Sequence, residues 1–218
     1  MIFGPTALAG RKDDLAVSLE TSLNATLKID SAPTVIKSIL SLYGLDSPGN
    51  MDSHAKLVAV LRFLNDICFA QGARATALAW SLARETHDTA SFLCHFNCPN
   101  PWSGPWEGYG THALDSAFML GNFNDHLSEG QRSCANKMAL NMIKFVNGED
   151  PFPSFAKDGI EMVYDADADG KVDKCASVSA TTAANTGRRA TLEGLVRAKP
   201  EYLDQLLGAL GLVLQGPR

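Results

Sequence analysis

The chain has 218 residues and a mass of 23.3 kDa, enough for one substantial domain or two small ones. Apolar residues make up 45% and charged residues 20%, an ordinary globular composition. Nineteen Lys and Arg against 24 Asp and Glu leave a net charge of −5, which argues against a nucleic-acid partner, and no apolar run approaches the roughly 20 residues of a membrane span.

The N-terminal stretch lacks a basic n-region and a long apolar core, so no signal peptide is expected; a cytoplasmic setting is the default, with secretion left open. Leu15, Leu19, Leu23 and Leu27 then recur every four residues, one stripe of an amphipathic helix over Asp13 to Leu27. The sequon at Asn24 matters only in a secreted protein. Ser31 and Pro33 open a second helix, with Gly44 as its C′ residue. A third helix runs from His54 to about Phe69, a break falls at Gln71-Gly72, and an Ala-rich fourth follows from Ala73 to Arg84.

The pattern changes at Ser91–Phe96, a short apolar and aromatic run that reads as a buried strand. After it comes a long loop rich in proline and glycine, a feature associated with function. Ser128 with Gln131 spells a capping box, with Leu127 as a hydrophobic staple, for a helix that stops at Asn147-Gly148. Glu161–Tyr164 reads as a short strand and Ala176–Asn185 as a small-residue tract with little to pack. Helices return at about Thr191–Ala198 and Pro200–Leu214, and no linker divides the chain.

Two clusters imitate metal sites. Asp165, Asp167 and Asp169 with Gly170 match the first half of a calcium loop, but position 12 is Ala176 where a bidentate carboxylate belongs. That run reads as a solvated acidic turn. Cys94, His95, Cys98 and His112 have C-x3-C spacing and no second histidine three to five residues past His112, a poor zinc pattern. No metal or cofactor is expected. Five cysteines without a dense framework read as reduced thiols, with Cys68, on an apolar helix face, read as a core residue rather than a nucleophile.

His112 stands out by position, in the Gly/Pro loop directly after the strand. Around it, Phe92 and Phe96 bracket the strand, Asp115, Phe118 and Gly121 follow the histidine, and the next helix ends in Phe145-Val146-Asn147-Gly148-Glu149-Asp150-Pro151. The late Thr186-Gly187-Arg188-Arg189, and earlier Tyr43-Gly44-Leu45 and Asp66-Ile67-Cys68-Phe69, extend the pattern over most of the chain. Together these segments resemble the C-terminal part of type-B carboxylesterases of the fungal kind, in the α/β-hydrolase superfamily that includes the cholinesterases. Ala113 departs from the pattern, since many members carry glycine there.

The resemblance implies an α/β fold class: residues 1–218 as a single partial α/β-hydrolase domain, mostly helical with few strands. It also implies that His112 is the triad histidine, which takes the serine proton during attack on an ester and returns it to the leaving alcohol. Asp115 is read as structural, because the family's acid comes from another strand end. Trp102 and Trp106 line the substrate gorge or pack the loop onto the body. No serine has glycine two before and two after it, and no HGGG-type oxyanion loop is present. The chain is therefore expected to be inactive alone, acting on a small-molecule ester only when completed by a half that carries serine and glutamate. Leu15, Leu23, Met138 and Phe145 are assigned partners in that other half, which predicts low stability and self-association. Two alternatives stand beside this reading: a non-catalytic helical interaction module or truncated remnant, and a hydrolase with its serine relocated to Ser103 or Ser116.

Overall fold

A computed structural model of the protein describes residues 8, 14–29, 31–47, 49, 51–83, 90–167, 169–179, 192, 194–195 and 201–215. These residues are mostly helical with one small mixed sheet, and they divide into two compact units. One lies within residues 73–183, the other within 2–72 and 184–218.

The second unit is a set of helices: α1 (Leu15–Thr26), α2 (Ala32–Leu42), α3 (Ser53–Asn65) with its π-helical extension Asp66–Gln71, and the C-terminal helix. The leucine stripe of α1 is buried as its period demands, with Leu15, Leu19 and Leu23 fully enclosed. Assigning Leu15 and Leu23 to partners outside the chain is thus corrected, because the long C-terminal helix Glu201–Gln215 packs along α1. Helix α2 ends as a Schellman motif: Gly44 has φ +70°, its N–H bonds the Ser41 carbonyl, and Leu45 N–H bonds the Leu40 carbonyl. Asp52 caps α3, accepting from the Ala55 N–H at 2.7 Å.

No break occurs at Gln71-Gly72. Helix α3 widens into the π turn, and Gly72 keeps helical dihedrals as α4 (Gly72–Ala83) begins. The π turn brings Asp66 into the interior, where its carboxylate accepts the Tyr43 hydroxyl at 2.9 Å.

In the first unit, β1 (Leu93–Phe96) pairs in parallel with β2 (Ile160–Tyr164), which pairs antiparallel with β3 (Ala176–Ser179). Between β1 and β2 run α5 (Leu114–Met119), α6 (Glu129–Val146) and the short α7 (Phe155–Asp158). Strand β1 is half-buried rather than buried, since it is an edge strand among the described strands and Cys94 is exposed. Strand β3 occupies the small-residue tract read as having little to pack, and the rest of that tract is outside the described residues.

Alternation splits the sheet into two faces. Phe96, Met162 and Tyr164 point to one core with Phe118, Leu127, Ala135 and Met138. Met138 thus finds partners within the chain, and Phe145, although 54% exposed, meets the Phe92 ring edge to face at 6.0 Å. Helix α6 is tied to this face by the Asn141 amide, which donates to the Tyr164 hydroxyl at 2.8 Å, and burial pushes that phenol up to about 12. The other face carries Leu93 against Ala77, Leu78 and Phe155. There Arg74 reaches the buried Glu161 at 3.8 Å and lies over the Phe155 ring.

The capping box of α6 forms, with Ser128 and Gln131 each bonded to the other's backbone N–H. Leu127 is no staple: the residue four past the cap is Arg132, and Leu127 joins the core beside Phe118. Gly148, at φ +79°, ends the helix where its Asn-Gly pair predicts.

Candidate functional site

The segment between β1 and α5 is ordered by its own hydrogen bonds. Asn97 N–H extends the pairing of β1 by bonding the Tyr164 carbonyl at 2.8 Å. Asn100 closes the neck of the tryptophan loop: its N–H bonds the Tyr109 carbonyl at 3.0 Å, and its carbonyl accepts from Gly108 at 2.9 Å. Its side chain works in both directions, donating to the Trp106 carbonyl and accepting the Trp102 N–H. Three prolines and a side-chain-rich neck thus make a compact loop of a sequence that holds no regular structure.

The loop returns to the sheet end at Thr111-His112-Ala113-Leu114, a turn closed by Leu114 N–H on the Thr111 carbonyl at 3.3 Å. Ala113 sits at its third corner with φ 61° and ψ 7°, the one left-handed non-glycine backbone among the described residues. That conformation costs an L-residue about 1–2 kcal/mol, and glycine ordinarily fills it. The turn leaves the His112 side chain exposed at an open apolar pocket of about 250 Å³. Trp102, Leu114, Ala117 and Phe123 line the pocket beside it, and Trp102 and Phe123 meet edge to face at 5.3 Å. Trp106 does not join them and packs on Tyr109 instead.

An exposed imidazole over an apolar pocket is placed to take or give a proton to a bound molecule. Among the described residues no hydrogen bond or ion pair joins it to a serine or a carboxylate. Asp115 lies exposed in the first turn of α5 and holds no hydrogen bond that fixes the loop. Ser103 and Ser116 are exposed and make no hydrogen bond to His112.

The metal look-alikes come apart. Cys94 is exposed while Cys98 is fully buried, and among the described residues no three His, Cys, Asp or Glu side chains form a metal-binding group. The acidic run is the turn between β2 and β3, where Asp169 pairs with Lys171 at 3.6 Å and the other two carboxylates serve the backbone. Asp167 accepts from Val172 N–H at 2.9 Å and Asp165 from Ala166 N–H at 2.8 Å. Asp173 has the densest network, with Ser133 and Lys137 both at 2.6 Å and Cys175 N–H at 2.7 Å. Burial acts to raise its pKa, but these donors prevail and hold the carboxyl well below the usual range.

Asn100 and the Asp173 network have no motif in the sequence that marks them, because their partners lie in distant segments or in loop backbone. Phe123 alone had a local signal, an aromatic in a Gly-Asn-Phe-Asn turn. Cys68, read as core, is half-buried in the π turn, and burial pushes its thiol up. The segment Thr186–Arg189 lies outside the described residues. No protein-family model matches the chain, and no curated protein or solved structure matches it.

Proposed function

We propose that this chain is the C-terminal portion of a carboxylic-ester hydrolase of the type-B carboxylesterase kind, with His112 as the general base and acid of its triad. The observation that carries the reading is the His112 turn. An exposed imidazole follows the end of a parallel strand, stands over an apolar pocket, and precedes a left-handed residue where many members of the resembled family carry glycine. Its task would be to accept the serine proton as the ester carbonyl is attacked, then protonate the departing alcohol. Serine, acid and oxyanion donors would come from a segment beyond these residues. Such a segment would also extend the sheet from the edge strand β1. The reading is tested by sequencing the native transcript upstream of Met1. An in-frame G-x-S-x-G and a later glutamate strand end would support it; a transcript beginning at Met1 would overturn it.

A second reading, a non-catalytic interaction module, is favoured by one observation. Helix α6 exposes Leu140, Ile143 and Val146 along one side, with Phe145 and Met142 beside them. Apolar side chains grouped in this way mark a surface that another protein covers. A native protein that binds a partner and lacks any ester turnover would establish that reading instead.

A further inference from the structure

Three of the five cysteines converge, although they are far apart in sequence. Cys98 opens the loop that ends at His112, Cys134 lies in the second turn of α6, and Cys175 immediately precedes β3. Cys98 and Cys134 are both 0% exposed, and their sulfurs stand 3.1 Å apart as thiols. A disulfide bond is about 2.05 Å long, so closing it needs an approach of about 1 Å, within the reach of small rotations of the two side chains. Cys175 also hydrogen-bonds the Cys134 thiol, but its own thiol is shared with the Asp165 carbonyl at 3.5 Å, and its N–H is held by Asp173. Cys134 is the sole hydrogen-bond partner of the Cys98 thiol among the described residues.

We propose that Cys98 and Cys134 form a disulfide that staples the start of the His112 loop to helix α6 and leaves Cys175 reduced. The surroundings already hold the two segments in register, because the Gln131 amide donates to the Pro99 carbonyl at 2.8 Å one residue past Cys98. The oxidant is a small-molecule disulfide such as oxidised glutathione. One cysteine thiolate attacks a sulfur of that disulfide, breaks its S–S bond and expels one small thiolate. The second cysteine thiolate then attacks the protein sulfur of the mixed disulfide and expels the other. Two protein thiols lose two protons and two electrons, and the oxidant leaves as two thiols. A hydrogen bond from Cys175 lowers the Cys134 thiol, but the Cys98 contact and burial outweigh it and push that thiol up. With both sulfurs enclosed, exchange belongs to folding, before α6 docks on the sheet. The staple requires nothing of the hydrolase chemistry.

The test is to refold the whole chain in an oxidised/reduced glutathione buffer, quench with acid, and alkylate in denaturant. Mass spectrometry is expected to find two of the five cysteines protected and a linked pair joining Cys98 to Cys134. In Cys98→Ser all remaining thiols alkylate, whereas Cys94→Ser keeps the linkage. Reduction lowers the Tm of the wild-type chain by several degrees and leaves that of Cys98→Ser unchanged. Five alkylated cysteines after oxidising refolding, or a linkage of Cys134 to Cys175, would overturn the proposal.

Discussion

Gly130→Ala tests how the acidic turn is held on the N-terminal end of α6. On an exposed helix position this change stabilises by about 1 kcal/mol, because alanine loses less backbone freedom than glycine. Gly130 is buried, and a Cβ placed on it would lie 2.5 Å from the Val172 nitrogen and 2.6 Å from the carbonyl carbons of Lys171 and Val172. These are backbone atoms and cannot rotate aside, so the turn must move. The movement strains the Gln131 N–H bond to the Gly170 carbonyl at 3.1 Å and the contact of Ser128 with the same carbonyl. Overpacking costs about 1–3 kcal/mol and a weakened hydrogen bond about 1 more. Against the helix-propensity gain, the net is a destabilisation of about 1–3 kcal/mol. Urea unfolding of the full chain, followed by circular dichroism, reads it as a lower midpoint with an unchanged slope. A midpoint equal to or above that of the wild type would show that the turn does not rest on Gly130.

Asp173 should make stability depend on acid. Its folded pKa is lowered, so its contribution is present above the ordinary carboxylate value of about 4 and fades as the pH falls below it. Asp173→Asn should therefore be less stable than wild type at neutral pH, with the gap narrowing at about pH 2; an unchanging gap in denaturation midpoints would refute this. Ala113→Gly should relieve the left-handed strain of about 1–2 kcal/mol and lose about 0.4–1 to the freer unfolded chain, for a net stabilisation of about 0.5–1 kcal/mol. A destabilised Ala113→Gly, measured the same way, would mean the turn is unstrained.

What was legible in the sequence followed from local chemistry. Ser128 and Gln131 cap α6, Gly44 and Gly148 end their helices with positive φ, and the leucine period of α1 marks its buried side, because each depends on residues within a turn or two. Long-range packing was not legible in that way. Leu15 and Leu23 meet a helix from the far end of the chain. Gln71-Gly72 has the composition of a break, yet the helix continues through a π turn whose Asp66 is held by Tyr43. Strand β3 has no run of large apolar side chains, since its residues are half-buried or exposed and backbone pairing with β2 holds it. At the candidate site, the loop composition and His112 were apparent. The pocket wall was not, because Phe123 reaches Trp102 only once the loop has folded around Asn100.

The most direct measurement is ester turnover by the native protein with and without His112→Ala. His112 is exposed and outside the core, so the substitution should shift stability by less than about 0.5 kcal/mol. If His112 is the proton carrier of a triad, kcat on a short-chain p-nitrophenyl ester should fall by about 10⁴-fold or more with the fold intact. Unchanged turnover in a folded His112→Ala protein would contradict the account.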